Sequence, residues 1–320
     1  MSSLIHPSAF VDPTARLAED VRVGAAAFVG PGVRLGRGCV LEHHASVDGH
    51  PEKTTEVGER CRLGPFAYVG AGVRMGRENV LHHHATIEGD SAVGSGNEVF
   101  PNAVIGGIPQ DILYRKGQTT RLEVGDANVF REGVTINSGT FKETGLTKVG
   151  SRNLFLAAAH VGHDSIIEDD CILVNGVLLG GHVKVERGAT VGGATPLPPF
   201  LTVGQYSYVG GFSRVTRDVP PFMSFQGIPG RVVGLNRVGL KRKGFTDAAI
   251  AALENAHRVL FHPRRQESMS SVIATLESDG GGSLTPEVRT LLDFLRASAA
   301  GKDGRAREVL HQKWHPKDRE

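Results

Sequence analysis

Several things are scarce in this chain, and each scarcity narrows what it can be. No apolar run approaches the ~18 residues that a membrane-spanning helix needs. The opening MSSLIHPSAF lacks the charged and apolar regions of a secretory leader. Only three cysteines are present, Cys39, Cys61 and Cys171. They are dispersed and form no CxxC pair, so no disulfide framework is expected and a reducing, cytoplasmic location is. Neither sign of charge dominates: 36 basic against 34 acidic residues leave a net charge of +2, which gives no footprint for nucleic acid. Aromatic residues make up 6% of the chain, so the interior is expected to be narrow.

What is present is a six-residue beat headed by an aliphatic residue, running from Ile5 to about Val219. It begins Val11-Asp-Pro-Thr-Ala-Arg, Leu17-Ala-Glu-Asp-Val-Arg, Val23-Gly-Ala-Ala-Ala-Phe, and returns at Val149, Val161, Ile167, Leu173, Leu179, Val185 and Val191. A period of six fits neither an α-helix nor a simple alternating strand. It fits short strands and corners coiled into a solenoid whose rungs stack. The heads face the axis, where each buried Val, Leu or Ile contributes roughly 1.5–3 kcal/mol. The fifth positions (Ala15, Val21, Ala27, Val33, Cys39) are small or apolar and are expected to face inward too. Three hexads make a triangular turn of about 18 residues, and roughly ten turns give a prism about 50 Å long. Glycine after the head (Gly24, Gly30, Gly36) suits tight corners and close backbone approach.

The beat is interrupted near Pro51–Thr54, where about four residues look inserted, and over 107–121 and 141–148. Loops leaving a rigid scaffold often carry binding residues, although plain decoration is the alternative. The solenoid is assigned to residues 1–222, a basic linker to 223–245, and an α-helical C-terminal domain with a tail to 246–320. Thr246 is placed to cap a helix carrying Ala249, Ile250, Leu253, Ala256, Val259 and Leu260. Further helices are expected near Ser268–Glu277 and Pro286–Ala300. The basic linker (Arg231, Arg237, Lys241, Arg242, Lys243) is either a solvated face or an anion site.

Of fourteen histidines, most have ordinary explanations. His82-His83-His84 cannot all converge on a metal. His43, His44, His50 and His311 read as corner, loop or tail residues. The more informative cluster is His160-Val-Gly-His163-Asp164, followed by Gly181-His182 about one rung later. An imidazole titrating near working pH beside a carboxylate suits general-base duty. Spacing alone leaves surface packing open.

These residues, with Ile105-Gly-Gly-Ile-Pro-Gln-Asp, Phe130-Arg-Glu-Gly-Val-Thr-Ile, Gly145-Leu-Thr-Lys-Val-Gly and Gly239-Leu-Lys-Arg-Lys-Gly-Phe, resemble the UDP-N-acetylglucosamine acyltransferase family of lipid A biosynthesis. The resemblance runs from Ile5 to about Leu260. It implies a mainly β fold, a left-handed parallel β-helix of hexapeptide repeats with a C-terminal α-helical domain, assembled as a homotrimer with its sites between subunits. It implies transfer of a 3-hydroxyacyl chain from acyl carrier protein to the 3-hydroxyl of UDP-N-acetylglucosamine, without a metal or other cofactor. By motif, His163 matches the general base, Asp164 its orienting partner, and Gly181 the N–H that receives the oxyanion. His160 and His182 match substrate contacts, and Gln110 and Asp111 a loop that touches substrate across the subunit boundary. Asn236 and Arg242 match the nucleotide end, and Gly211 the acyl groove.

The chain also departs from the family pattern. Asn137 stands where histidine is common, Pro198-Pro199 replaces a His-Gln pair, and Leu113 stands where lysine is expected, with Lys116 close by. These changes keep open a nucleotide-sugar acyl- or acetyltransferase with another acceptor or an acyl-CoA donor. Two readings of a different class are a metal hydrolyase built on the same solenoid, as in γ-type carbonic anhydrases, and a structural solenoid whose dyad has lapsed.

Overall fold

The computed structural model describes residues 4–115, 117, 120–141, 144–262, 266–279 and 284–312. Lys116 and the end of the expected tail, 313–320, lie outside them. The hexads fold as expected into a parallel β-solenoid with three faces. Two faces carry ten strands each and the third carries thirteen, the last of them antiparallel. Consecutive rungs pair in register with a typical spacing of 18 residues, as Leu4 with Arg22 and Phe10 with Phe28. Most strands are two residues long, an outward residue followed by the buried head, as in Arg22–Val23 and Arg34–Leu35.

The core is the stack of heads and fifth residues. Val21, Val29, Val33, Cys39, Leu63, Val69 and Val161 are all buried in it. The three cysteines are free and buried, and burial pushes the Cys171 thiol up to about 12. The fifth position is not uniformly apolar, however. Mid-coil, one column of fifth residues becomes Asn79, Asn97, Asn128 and Asn153, all buried. Each side-chain oxygen accepts the backbone N–H of the next member: Asn97 N to Asn79 Oδ1 at 2.9 Å, Asn128 N to Asn97 Oδ1 at 3.0 Å, Asn153 N to Asn128 Oδ1 at 2.9 Å. The ladder ends on Cys171 N, 2.7 Å from Asn153 Oδ1. Buried amides are tolerated where partners of this kind satisfy them.

The corners divide two demands on the backbone between different positions. The left-handed conformation falls on the fourth residue of the hexad, often without glycine, as at Ala26 (φ 53°), Phe66 (φ 59°) and Asp164 (φ 57°). The glycine after the head, and Gly49 one place further on in its hexad, answer to space instead. A Cβ on Gly30 would come within 2.6 Å of Gly49 N in the next rung, and one on Gly49 within 2.0 Å of the Pro31 carbonyl oxygen. Backbone cannot yield there as a flexible side chain could. Gly49→Ala is therefore expected to destabilise the coil by about 1–3 kcal/mol, read as a lowered thermal midpoint.

The interruptions share one edge of the prism. Spacings between stacked positions widen to 22 residues at Arg34/Glu56, 31 at Asn97/Asn128 and 25 at Asn128/Asn153. The three extra segments each join the two ten-stranded faces, leaving the one that begins at Phe10–Val11 (the second face in chain order), between Val47 and Glu56, Gly107 and Arg121, and Asn137 and Leu146.

Past the last rung, Met223–Gln226 and Arg231–Leu235 form an antiparallel hairpin on the thirteen-stranded face. Helices follow: α1 (Arg237–Arg242), α2 (Asp247–Leu260), α3 (Met269–Asp279), α4 (Pro286–Ala300) and α5 (Glu308–Gln312). Thr246 caps α2, its hydroxyl accepting from Ala249 N. The buried face of α2 is Ala249, Ile250, Leu253, Ala256 and Leu260. Val259, expected on that face, is 43% exposed, because six residues from Leu253 turn it about 120° away from the buried stripe. The α-helical core joins the coil through Phe222 and Met223.

Candidate active site

The shared edge carries the histidine cluster. His163 is the third residue of its hexad and Asp164 the fourth, so the corner turns immediately after the imidazole. His163 Nδ1 lies 2.8 Å from Asp164 Oδ2. That carboxylate is held by its neighbours: Thr140 Oγ1 donates to Oδ2 at 2.6 Å, and the Thr140 N–H lies 3.0 Å from both oxygens. Asp164 N in turn donates to Thr147 Oγ1 at 2.8 Å. Thr140 and Thr147 flank the second long loop, so that loop braces the carboxylate. Because Nδ1–H faces a carboxylate, the neutral ring keeps its lone pair on Nε2.

One rung further, His182 occupies the corner equivalent to Asp164, with a φ of 62°. Its ring packs edge-on against His163, centroids 5.1 Å apart, and stacks on Phe200 at 4.5 Å. Its backbone N–H donates to His163 O at 2.9 Å. Between them lies Gly181, buried, where a Cβ would fall 2.5 Å from His163 Cε1 and 2.7 Å from Nε2. Among the described residues the Gly181 N–H donates to no acceptor. A buried N–H left open beside an imidazole can serve a bound ligand.

His160 lies on the second face, its Nδ1 2.8 Å from Thr135 Oγ1. Burial lowers its pKa, with a smaller contribution from His163, so the ring is held neutral. A groove of about 800 Å³ runs past these groups, lined by Gln110, Asn137, His160, His163, Gly181 and Pro198 among others. Asp111 does not line it. Its Oδ2 sits 3.9 Å from His163 Nε2 within the same chain, while Oδ1 accepts Leu113 N at 2.8 Å.

The structure thus brings together His163, Asp164, Gly181, His160, His182, Gln110 and Asp111. Asn236, Arg242 and Gly211 do not line the groove. Asn236 caps α1, accepting from Gly239 N and donating to Tyr206 O at 2.9 Å. Arg242 is exposed in the last turn of α1. Gly211 lies on the corner above Gly193. Thr140, Thr147, Thr135 and Phe200 escape sequence reasoning as site residues. The only signal for Thr147 is its place inside Gly145-Leu-Thr-Lys-Val-Gly.

His163, Asp164 and His182 have ligand atoms within 4.8 Å of one another, a spacing a metal could use. The carboxylate is nevertheless already engaged by Thr140 and His163, which suits an orienting partner better than a ligand. The chemistry available is proton removal at His163 Nε2 beside an N–H able to receive negative charge.

Comparison with known proteins places this groove in context. The sequence profile described as UDP N-acetylglucosamine O-acyltransferase, domain 2, matches residues 218–302. The chain is 41% identical over 206 residues to the acyl-[acyl-carrier-protein]–UDP-N-acetylglucosamine O-acyltransferase of Gloeothece citriformis, covering 64% of this chain and 72% of that protein. It is 38% identical to the protein of the same name from an Anaeromyxobacter species, covering 66% and 80%. Among solved structures, the Arabidopsis UDP-N-acetylglucosamine acyltransferase superposes with a TM-score of 0.76 at 32% identity, over 93% of this chain and 98% of that one. A UDP-N-acetylglucosamine acyltransferase from Bacteroides fragilis gives 0.72 at 30% identity, over 92% and 97%.

Proposed function

Since the chain belongs to the acyl-[acyl-carrier-protein]–UDP-N-acetylglucosamine O-acyltransferase family, we propose that His163 is the base of that transfer and Gly181 its oxyanion donor. The enzyme moves an acyl chain from acyl carrier protein to UDP-N-acetylglucosamine, the first step of lipid A biosynthesis. We take the chain to be a 3-hydroxyacyl group and the acceptor atom to be the sugar 3-hydroxyl.

His163 Nε2 removes the hydroxyl proton as the sugar oxygen attacks the thioester carbonyl. Asp164 orients the ring and stabilises the imidazolium, its own position fixed by Thr140 and Thr147. The carbonyl oxygen gains negative charge against the Gly181 N–H. A preorganised donor of this kind commonly contributes a few kcal/mol in the transition state. Collapse breaks the C–S bond, and the departing thiolate of the carrier's phosphopantetheine arm takes the proton back from His163. The observation that carries this reading is the 2.8 Å contact between His163 Nδ1 and Asp164 beside an open N–H.

Neutral His160, with His182 and Gln110, orients the sugar or acyl chain, and Asp111 steadies the loop over the base. Arg242 pairs with the diphosphate, Asn236 holds the helix that presents Arg242, and Gly211 leaves room along the acyl path. The active form is a homotrimer with grooves closed by neighbouring subunits. Its support is the second face, whose outward Phe10, Phe28 and Leu178 are 53%, 36% and 51% exposed on the side that carries His160. Among the described residues no helix is long and apolar enough to cross a membrane. We place the reaction in the cytoplasm, which three free, buried cysteines suit.

Incubation with UDP-N-acetylglucosamine and a panel of 3-hydroxyacyl carrier proteins, followed by mass spectrometry, tests the reading. A monoacylated UDP-sugar is expected. Turnover with acetyl-CoA alone would overturn the donor assignment in favour of an acetyltransferase.

A further inference from the structure

We propose that Gly301–Gln312, which follows α4, is a strap that positions the active-site edge, with Arg305 and Arg307 as its positioning residues. The inference rests on the assignment of His163 and Gly181 above. The family profile ends at residue 302, so most of the strap lies beyond it.

The fourth positions along the site edge form a column at the 18-residue spacing: Asp164, His182, Phe200 and then Asp218. The strap grips this column at three levels. Arg307 Nε donates to the carbonyl oxygen of His182 at 3.2 Å. Arg305 Nη1 donates to the carbonyl oxygen of Pro199 at 3.2 Å, while its Nη2 pairs with the buried Glu308 at 3.0 Å. At the top, Ala306 N donates to Asp218 Oδ2 at 2.8 Å, and Asp218 N donates to Gly304 O at 2.9 Å. Asp218 Oδ1 accepts Thr202 N at 2.8 Å, so one carboxylate ties the strap to the last rungs.

What the strap holds explains why it bears on catalysis. His182 O belongs to the residue following Gly181, whose N–H must aim at the developing oxyanion. His182 N is already bonded to His163 O, and its ring lies between His163 and Phe200. Fixing the His182 carbonyl holds the His182–Val183 peptide plane, and the His182 N–H bond to His163 O holds the Gly181–His182 plane, so the two units that follow the oxyanion donor are both tied down. Pro199 belongs to the Pro198-Pro199 turn, which has no side chain able to hydrogen-bond into the groove. Arg305 secures that turn from behind through the backbone. Neither arginine lines the groove, so both act through other residues.

The test is steady-state kinetics of Arg307→Ala and Arg307→Lys on the full chain, with UDP-N-acetylglucosamine and an acylated carrier protein, alongside thermal unfolding. Loosening a preorganised donor costs rate more than binding. Arg307→Ala should lower kcat about tenfold with KM for the sugar nucleotide within about twofold. Arg307→Lys, which keeps a donor, should recover most of the loss. Any other pattern overturns the strap: an unchanged kcat in folded Arg307→Ala, or an equal fall in both variants that tracks a lower melting temperature. If Arg307→Ala does not fold, the same kcat and KM criteria apply to Arg305→Gln, which withdraws the grip on Pro199 together with the Glu308 pair. His163→Ala in the same assay keeps the two inferences separate. Full activity there overturns the base assignment, whereas an unchanged Arg307→Ala overturns the strap alone.

Discussion

His163→Ala is expected to lower kcat about 10²–10⁴-fold while KM changes little, because the proposed proton acceptor is lost and most binding contacts remain. Steady-state assays of the purified variant check this, with thermal unfolding as the control. Removing the ring relieves no packing that the coil depends on. The heads Val161 and Leu179 on either side stay buried in the core, and Asp164 keeps its bonds to Thr140 and Thr147. The melting temperature should therefore stay within a few degrees of the parent's. Activity within twofold of the parent would mean that another group takes the proton.

Gly181→Ala should cost nearly as much by a different route. A methyl group there would fall 2.5 Å from His163 Cε1 and 2.7 Å from Nε2. Atoms cannot approach so closely, so the imidazole must swing away from the groove or pull on its bond to Asp164. That bond is short and the carboxylate is fixed by Thr140, which leaves the ring little room. Both halves of the proposed machinery suffer at once: the base is displaced and the peptide N–H is re-aimed. A fall in kcat of about 10²-fold or more is expected, in line with the loss of one oxyanion donor. The NMR signal of the His163 Nδ1–H checks the cause, since a displaced ring loses its bond to Asp164. Parent-like kcat with a parent-like Nδ1–H signal would remove Gly181 from the mechanism.

The solenoid is legible in the chain because inward positions recur every six residues and tolerate only small or aliphatic side chains. His163 and Asp164 are legible because they are adjacent in sequence. The left-handed corners are harder to read. They fall on fourth residues as varied as Asp20, Ala26, His44, Glu78 and Phe200, and glycine marks only some of them, such as Gly32 and Gly38. The asparagine ladder hides for a related reason: polar residues at inward positions look like faults until neighbouring rungs supply their partners. The Asp164 brace is invisible because Thr140 and Thr147 are brought to it only when the loop over 141–148 closes. The C-terminal strap is short and polar, without an amphipathic period, and its bonds run largely between side chains and backbone carbonyls far away in sequence.

All three long departures from the beat leave along a single corner of the triangle. The other two corners accept no added length, so strands on either side of them keep an unbroken match from one end of the prism to the other. Lengthening or exchanging a segment at the permissive corner changes what lies over the dyad without shifting any strand against its neighbours. New acceptor preferences can therefore arise by insertion there alone, while the rest of the prism keeps its form.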